Sequence, residues 1–128
     1  LMSLDLDVFS PCALGAIINE QTIGQLKCSV IAGAANNQLE KEPRDSKLLL
    51  SKGIMYVPDY VINAGGLMNV ANELKGYDKE KAKYQVEGIY HILMRIFDYA
   101  STNNISTLEA ANLLAERRIN EFSQWHHH

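Results

Sequence analysis

The sequence has few of the features that mark membrane, secreted or nucleic-acid-binding proteins. Its two cysteines, Cys12 and Cys28, belong to no paired Cys/His spacing, which argues against a zinc site and a disulfide framework. The net charge of -3 comes with scattered lysines and arginines, so nucleic acid and anionic membranes find no basic patch. No apolar run approaches the length of a membrane span, and the first residues lack a signal-peptide pattern. We therefore predict a cytoplasmic protein that binds no metal, membrane or nucleic acid.

Three short segments indicate strands: the first has an alternating pattern, the second is apolar and β-branched, and the third is apolar. They are residues 4–9, 28–32 and 54–57. A helix is predicted over residues 13–26, from the apolar set Leu14, Ile17, Ile18 and Ile23, and a second helix runs from Pro43 to a stop at Gly53. Strands that alternate with helices predict βαβ units and a parallel sheet.

The rest of the chain has a helical pattern. Leu67, Val70, Ala71 and Leu74 form an apolar stripe, and Asp78 is placed to cap a long helix that Asn103 and Asn104 end. The apolar positions predicted for that helix are Ala82, Val86, Ile89, Tyr90, Leu93, Ile96, Phe97 and Ala100. Ser106 and Glu109 form a capping-box pattern for a last helix along Leu108, Ala111, Leu114 and Ile119.

These elements predict an α/β fold, the second half of a Rossmann-like doubly wound parallel sheet of about three strands, followed by two or three C-terminal helices. A complete dinucleotide-binding domain has two such halves. We therefore expect either pairing with another copy or a missing half before Leu1. Residues 1–77 would form the half nucleotide-binding unit and 78–122 the C-terminal helices of the same domain. Residues 123–128 would be a tail ending in a tag remnant, His126–His128.

Each predicted strand ends in a segment of small and polar residues, at the edge where open α/β sheets bind ligands. The segments are 11–15, 33–38 and 59–66, and Gly65-Gly66 in the last stands between a strand-like run and a helix pattern. Glycine and asparagine also make ordinary tight turns, which would be the favoured interpretation for one loop alone. Three such loops together favour a binding site.

The same segments carry a family resemblance. DVFSPCALGAI, VIAGAANNQL and YVPDYVINAGG occur in this order, and the match continues from Asp5 to Ile119. The chain resembles the glutamate/leucine/phenylalanine/valine dehydrogenase family, within it the leucine dehydrogenases, over the later part of the NAD-binding domain. The resemblance implies NAD-dependent oxidative deamination of leucine or another branched-chain L-amino acid to its 2-oxo acid and ammonia.

The resemblance also implies roles for residues that hold the cofactor. Cys12 and Ala13 would line the nicotinamide ribose, chiefly through backbone atoms. Asn36 and Asn63 would contact the ribose or the nicotinamide carboxamide. Cys12 is not expected to be a nucleophile, because no base lies near it in the sequence.

For the substrate, the resemblance implies that Asn37 orients the amino acid beside the nicotinamide. Leu67 and Val70 would form a wall of the side-chain pocket, which suits a branched-chain substrate better than glutamate. Ordinary core packing is the alternative interpretation of these two residues. Leu67 and Met68 stand where the family more often has valine and isoleucine.

The chain also lacks parts of the family pattern. No G-x-G-x-x-G follows a strand, so no pyrophosphate-binding helix start is predicted, and the acidic residue that selects NAD over NADP is missing with it. Members of the family use a lysine and an aspartate of a separate N-terminal substrate domain for proton transfer. Here Lys52 and Lys75 are interpreted as solvated helix-end cations and His91 as a surface residue. We thus expect no catalytic residue in this chain, and no activity from it alone.

Three functions remain open from the sequence. The first is a cofactor-domain fragment that needs its substrate domain and forms a homo-oligomer. The second is a non-catalytic nucleotide-binding or self-association module that keeps the fold. The third, a different enzyme reusing half a Rossmann unit, has little support because no independent acid-base pair is present.

Overall fold

The computed structural model describes residues 2–74 and 76–125, with the backbone alone at 124 and 125. The strands are β1 (Val8–Phe9), β2 (Val30–Ile31) and β3 (Met55–Tyr56). The helices are α1 (Glu20–Gln25), α2 (Glu42–Ser51), α3 (Asp59–Ile62), α4 (Gly65–Glu73), α5 (Lys79–Asn103) and α6 (Thr107–Trp125). Lys75 and the tail His126–His128, both interpreted from the sequence, lie outside the described residues.

The three strands form one parallel sheet in the order β1-β2-β3. Val8 pairs with Val30, which pairs with Met55, and the next residue of each strand pairs in the same way. Each strand is shorter than its apolar segment, although Asp5 still makes an isolated bridge to Lys27. The predicted α/β fold with three parallel strands and C-terminal helices is confirmed.

The two faces of the sheet differ in burial. Phe9, Ile31 and Tyr56 point into a core that also contains residues of α1, α2 and α6. On the opposite face, Val8 is 52% exposed and Met55 43%. Parallel sheets normally have both faces covered, so this sheet presents one bare apolar face.

The first helix is shorter than predicted. Residues 13–19 form a loop, because Ala16 has a positive φ of 55° and Ile18 bridges to Leu39 in the next loop. The helix begins after Asn19, whose side chain accepts hydrogen bonds from the backbone N–H groups of Gln21 and Thr22. Leu14, counted in the apolar set, is exposed.

Lys52 is exposed, as predicted for a helix-end cation, and it also makes hydrogen bonds that the sequence did not predict. It follows α2, and Gly53 turns the chain with a φ of 73°. Its Nζ donates to the carbonyl oxygens of Ile23 at 2.5 Å and of Gly24 and Leu26 at 3.0 Å each. Lys52 therefore neutralises the carbonyl end of α1, where a cation is favoured.

Helix α4 packs against its neighbours through the face that carries Met68 and Asn72. Leu67, Val70 and Leu74 are exposed, whereas Asn72 is buried and donates to Gln85 Oε1 of α5 at 2.6 Å. Met68 also packs into the core formed with α5 and α6. The apolar stripe is thus an outward face.

Helices α5 and α6 begin where the sequence predicts. The Asp78 side chain accepts from the backbone N–H groups of Glu80 and Lys81, and Asn104 ends α5 with a φ of 52°. Ser106 Oγ accepts from the Glu109 backbone N–H. Some predicted core positions are exposed instead, because they lie beside the buried stripe: Val86, Tyr90 and Ile119. His91 is at the surface, as predicted. None of the helices in the described ranges has the length and apolarity needed to cross a membrane.

Candidate functional site

The three strand-end loops lie side by side, as predicted from the parallel sheet. Ala35 N donates to the Pro11 carbonyl at 3.0 Å, and Ala16 N donates to the Asn37 carbonyl at 2.7 Å, which joins the first loop to the second. The second loop is joined to the third by a hydrogen bond of 3.1 Å from Gln38 N to Asp59 Oδ2. The carboxyl edge of the sheet is therefore one hydrogen-bonded unit.

The first two loops approach so closely that only glycine fits at their contact. A Cβ on Gly33 would lie 2.1 Å from the Pro11 carbonyl oxygen. A Cβ on Gly15 would lie 3.0 Å from the carbonyl oxygens of both Asn36 and Asn37. Asn37 itself has a φ of 52°, a conformation that asparagine tolerates better than most residues. Gly15 and Gly33 thus allow the two loops to pack closely. Asn37 makes a tight turn, so the turn interpretation explains some of these residues.

Gln38 holds the second loop from inside. The side chain is fully buried, and its Nε2 donates to the carbonyls of Gly33 at 2.8 Å and Ala35 at 2.9 Å. Its Oε1 has no hydrogen-bond partner among the described residues. The sequence prediction missed Gln38, although a glutamine next to two asparagines at a strand end was a signal for a buried amide.

Asp59 is the second buried group that the sequence prediction missed. The residue is 7% exposed, and its carboxylate accepts from Gln38 N and, at 2.7 Å, from Tyr60 N. Burial of a carboxylate is costly unless donors surround it. The third loop is further attached to α6 by Tyr60, whose hydroxyl donates to Asn112 Oδ1 at 2.9 Å.

The two asparagines assigned to one role come together. Asn63 Nδ2 donates to Asn36 Oδ1 at 2.5 Å. Neither Asn36 Nδ2 nor Asn63 Oδ1 makes a hydrogen bond within the described part of the chain. The pair therefore leaves the Asn36 amide nitrogen open as a donor group and the Asn63 amide oxygen open as an acceptor.

Cys12 and Ala13 are exposed in the first loop. The hydrogen bond from the Ala34 backbone N–H, with a smaller contribution from the Ser10 hydroxyl, lowers the pKa of the Cys12 thiol. Burial raises the pKa of Cys28, which lies in the core. Both are free thiols, and the described residues contain no cluster of three or more metal-ligand side chains.

The predicted substrate residues are all accessible. Asn37 is exposed in the second loop, and Leu67 and Val70 are 75% and 53% exposed on α4. Their exposure contradicts the core-packing interpretation. No lysine or arginine occurs within α4.

A cavity of about 330 Å³ lies elsewhere, between β3, α2 and the α5–α6 connection. It is lined by residues such as Ser46, Met55 and Phe97 and includes none of the predicted site residues. The exposure of Cys12, Ala13, Asn36 and Asn37 places the candidate site at the surface of this chain.

Comparison with known proteins agrees with this arrangement. The family model described as Glutamate/Leucine/Phenylalanine/Valine dehydrogenase matches residues 1–126. The chain belongs to this family. The predicted family resemblance is therefore confirmed.

Individual relatives are similar over nearly the whole chain. An L-tryptophan dehydrogenase of Nostoc punctiforme is 58% identical over 120 residues, covering 94% of this chain and 34% of that protein. A leucine dehydrogenase of Thermoactinomyces intermedius is 55% identical over 119 residues, covering 93% of this chain and 32% of that protein. The crystal structure of L-tryptophan dehydrogenase from Nostoc punctiforme superposes with a TM-score of 0.92 at 57% identity, covering 96% of this chain and 37% of that one. The chain spans about a third of the length of these relatives.

Proposed function

We propose that this chain is the nicotinamide-side half of the cofactor domain of an NAD-dependent L-amino-acid dehydrogenase, which converts the amino acid to its 2-oxo acid and ammonia. The observation that carries the proposal is the Asn36–Asn63 pair at the joined carboxyl ends of the strands. Ligands of open α/β sheets bind at this edge. Family membership makes the nicotinamide cofactor the expected ligand.

The open polar atoms of the asparagine pair suit a nicotinamide carboxamide. Such a group carries one carbonyl acceptor and one amide donor, which complement Asn36 Nδ2 and Asn63 Oδ1. Cys12 and Ala13, exposed in the neighbouring loop, would line the adjoining ribose with backbone atoms. When bound, the nicotinamide supplies the acceptor for the hydride that leaves the substrate α-carbon.

This chain's contribution to the reaction would be orientation and exclusion of water. Asn37 would hold the amino acid in position, and Leu67 and Val70 would cover its side chain with apolar surface. Correct placement of the reacting carbon supplies much of the rate enhancement in such reactions. No residue of this chain is assigned to proton transfer.

An apolar substrate fits α4 better than glutamate does. A glutamate side chain needs a cation, and none lies within Gly65–Glu73. We propose leucine or another branched-chain amino acid as the substrate. Tryptophan is the second candidate, because the Nostoc punctiforme relative is named for it.

Further parts of the protein would complete the enzyme. The sheet face that carries Val8 and Met55 is exposed, whereas parallel sheets normally pack against other elements on both faces. We propose that a first half of the cofactor domain, with the pyrophosphate-binding turn, and an N-terminal substrate domain with the acid-base groups join this chain. The complete protein would be a cytoplasmic homo-oligomer.

The test is an activity assay of the protein encoded by the complete reading frame, beside the 128-residue chain. We expect the complete protein to reduce NAD with L-leucine and the chain alone to show no turnover. Turnover by the chain alone would contradict the fragment assignment. Reduction of NAD with L-tryptophan but not with L-leucine would contradict the branched-chain assignment and favour tryptophan as the substrate.

The second candidate function, a self-association module without chemistry, is favoured by the same bare face, since apolar sheet surface promotes association. It predicts a stable dimer of the chain and no turnover by the complete protein. Light scattering of the purified chain distinguishes the two: a monomer at micromolar concentration would count against the module.

A further inference from the structure

We propose that Asp59 is a positioning residue, which fixes Asn63 against Asn36 and thereby shapes the nicotinamide end of the site. The contact between the asparagines is a property of this chain. Its consequence for cofactor binding rests on the proposed function. Asp59 would touch neither cofactor nor substrate.

The Asp59 carboxylate lies between the second and third strand-end loops. It is buried, and each of its oxygens accepts a backbone N–H, Oδ2 from Gln38 and Oδ1 from Tyr60. Hydrogen bonds to an ionised acceptor are about twice as strong as neutral ones. The carboxylate therefore joins two loops that are 21 residues apart in the chain.

The Gln38–Asp59 hydrogen bond joins the same two loops as the asparagine pair. Gln38 follows Asn36 by two residues, and its side chain donates to the carbonyls of Gly33 and Ala35, which precede Asn36 in the same loop. Asn63 N donates to the Asp59 carbonyl at 3.0 Å, one turn along the chain. Both asparagines are thus attached, within one turn, to the two ends of the Gln38–Asp59 hydrogen bond.

Asp45 is the other buried aspartate among the described residues, and it also lies near the start of a helix. Asp45 in α2 is fully buried and accepts from Lys41 N at 2.7 Å and from Arg44 Nε at 2.8 Å. Both partners lie at the start of its own helix, Lys41 just before it and Arg44 in its first turn. Asp45 is therefore the matched control for burial and charge without a link between loops.

The experiment records the side-chain amide NMR signals of the full 128-residue chain. In the unsubstituted chain, the Asn63 Nδ2 protons should be shifted and slow to exchange because of the bond to Asn36. In D59N an N–H donor replaces one acceptor, so the Asn63 signal should move to the position of a solvent-exposed asparagine. D45N should leave it unchanged while lowering stability. An unchanged Asn63 signal in folded D59N would overturn the proposal.

A second variant keeps the test decisive if D59N fails to fold. D59S retains an oxygen acceptor for Tyr60 N but is too short to reach Gln38 N. The same displacement of the Asn63 signal is expected. If neither variant folds, Asp59 belongs to the stability of the fold, and the positioning role is overturned.

Steady-state kinetics of the complete protein distinguish a positioning role from a purely structural one, because only the positioning role should change KM for NAD more than kcat. D59N should raise KM for NAD about tenfold, the effect of about one lost hydrogen bond, while kcat falls by less than about threefold. D45N should leave the ratio kcat/KM for NAD unchanged. An Asn63 signal that moves in a protein without dehydrogenase activity would support the positioning role and reject the proposed function. An Asn63 signal that stays in an active enzyme would do the reverse.

Discussion

The side chain of Asn63 donates a 2.5 Å hydrogen bond to the side chain of Asn36, across two loops that are 27 residues apart. The pair stands at the carboxyl edge of a parallel sheet and leaves the Asn36 amide nitrogen and the Asn63 amide oxygen open. The open amide groups of this pair support the carboxamide-bearing ligand that we propose for the glycine- and asparagine-rich loops.

Gly33→Ala should destabilise the chain by at least about 2 kcal/mol, because the added Cβ would overlap the Pro11 backbone. The matched control is Gly88→Ala in α5, where a Cβ meets nothing within 4 Å. That control should stabilise the chain by about 0.5 to 1 kcal/mol, since alanine loses less entropy in a helix. Urea unfolding measures both changes. Equal effects of the two substitutions would contradict the close packing of the first two loops.

Lys52→Met should destabilise the chain by about 1 to 2 kcal/mol, because three carbonyls at the end of α1 lose a cationic donor. Lys83→Met is the control, since Lys83 is an exposed residue 3.9 Å from Glu87 on the same helix face. Exposed pairs of this kind contribute about 0.5 kcal/mol or less. Thermal unfolding compares the variants. A Lys52 variant as stable as the Lys83 variant would show that the carbonyls are satisfied by water.

Leu67→Ala should change stability by less than about 0.5 kcal/mol, because the side chain is exposed. Met68→Ala, its neighbour in the helical core, should cost about 1 to 2 kcal/mol. In the complete protein, Leu67→Ala should instead change the ratio of kcat/KM between L-leucine and larger amino acids. Steady-state kinetics on both variants measure this. A substrate ratio that moves with Met68 and not with Leu67 would reject the predicted pocket wall.

Cys12 should react with iodoacetamide at a lower pH than an ordinary thiol, because its lowered pKa places more thiolate at any given pH. Cys28 should react only at higher pH and slowly, since burial raises its pKa and restricts access. Ser10→Ala should move the midpoint for Cys12 upward, and Cys12→Ser identifies the fast site. Mass spectrometry of the labelled peptides gives the rates. Faster labelling of Cys28 would contradict the described first loop.

Local signals in the sequence predicted the parts of the fold that depend on neighbouring residues. Asp78, Ser106 and Gly53 mark helix ends because their bonds or backbone angles involve the adjacent turn. The three strand segments predicted the number of strands, and their alternation with helices predicted that the strands are parallel. The parallel arrangement then brought the three loops together.

The missed features depend on partners far along the chain. Asp59 is bonded to Gln38, 21 residues away, and Lys52 to Ile23, 29 residues away. The predicted helix over 13–26 was too long because its apolar spacing did not reveal the bridge from Ile18 to the next loop. Periodicity also could not decide between the predicted pocket wall and core packing for Leu67 and Val70, since an apolar stripe looks alike in a core and in a binding surface.

The most direct measurement of the central claim is the oxidation of amino acids by the complete protein, followed as NAD reduction with ammonia release. The account predicts turnover with L-leucine or another apolar L-amino acid, a much lower rate with L-glutamate, and a higher KM for NAD in Asn63→Ala. A folded complete protein that oxidises none of these amino acids, or one whose KM for NAD is unchanged in Asn63→Ala, would contradict it.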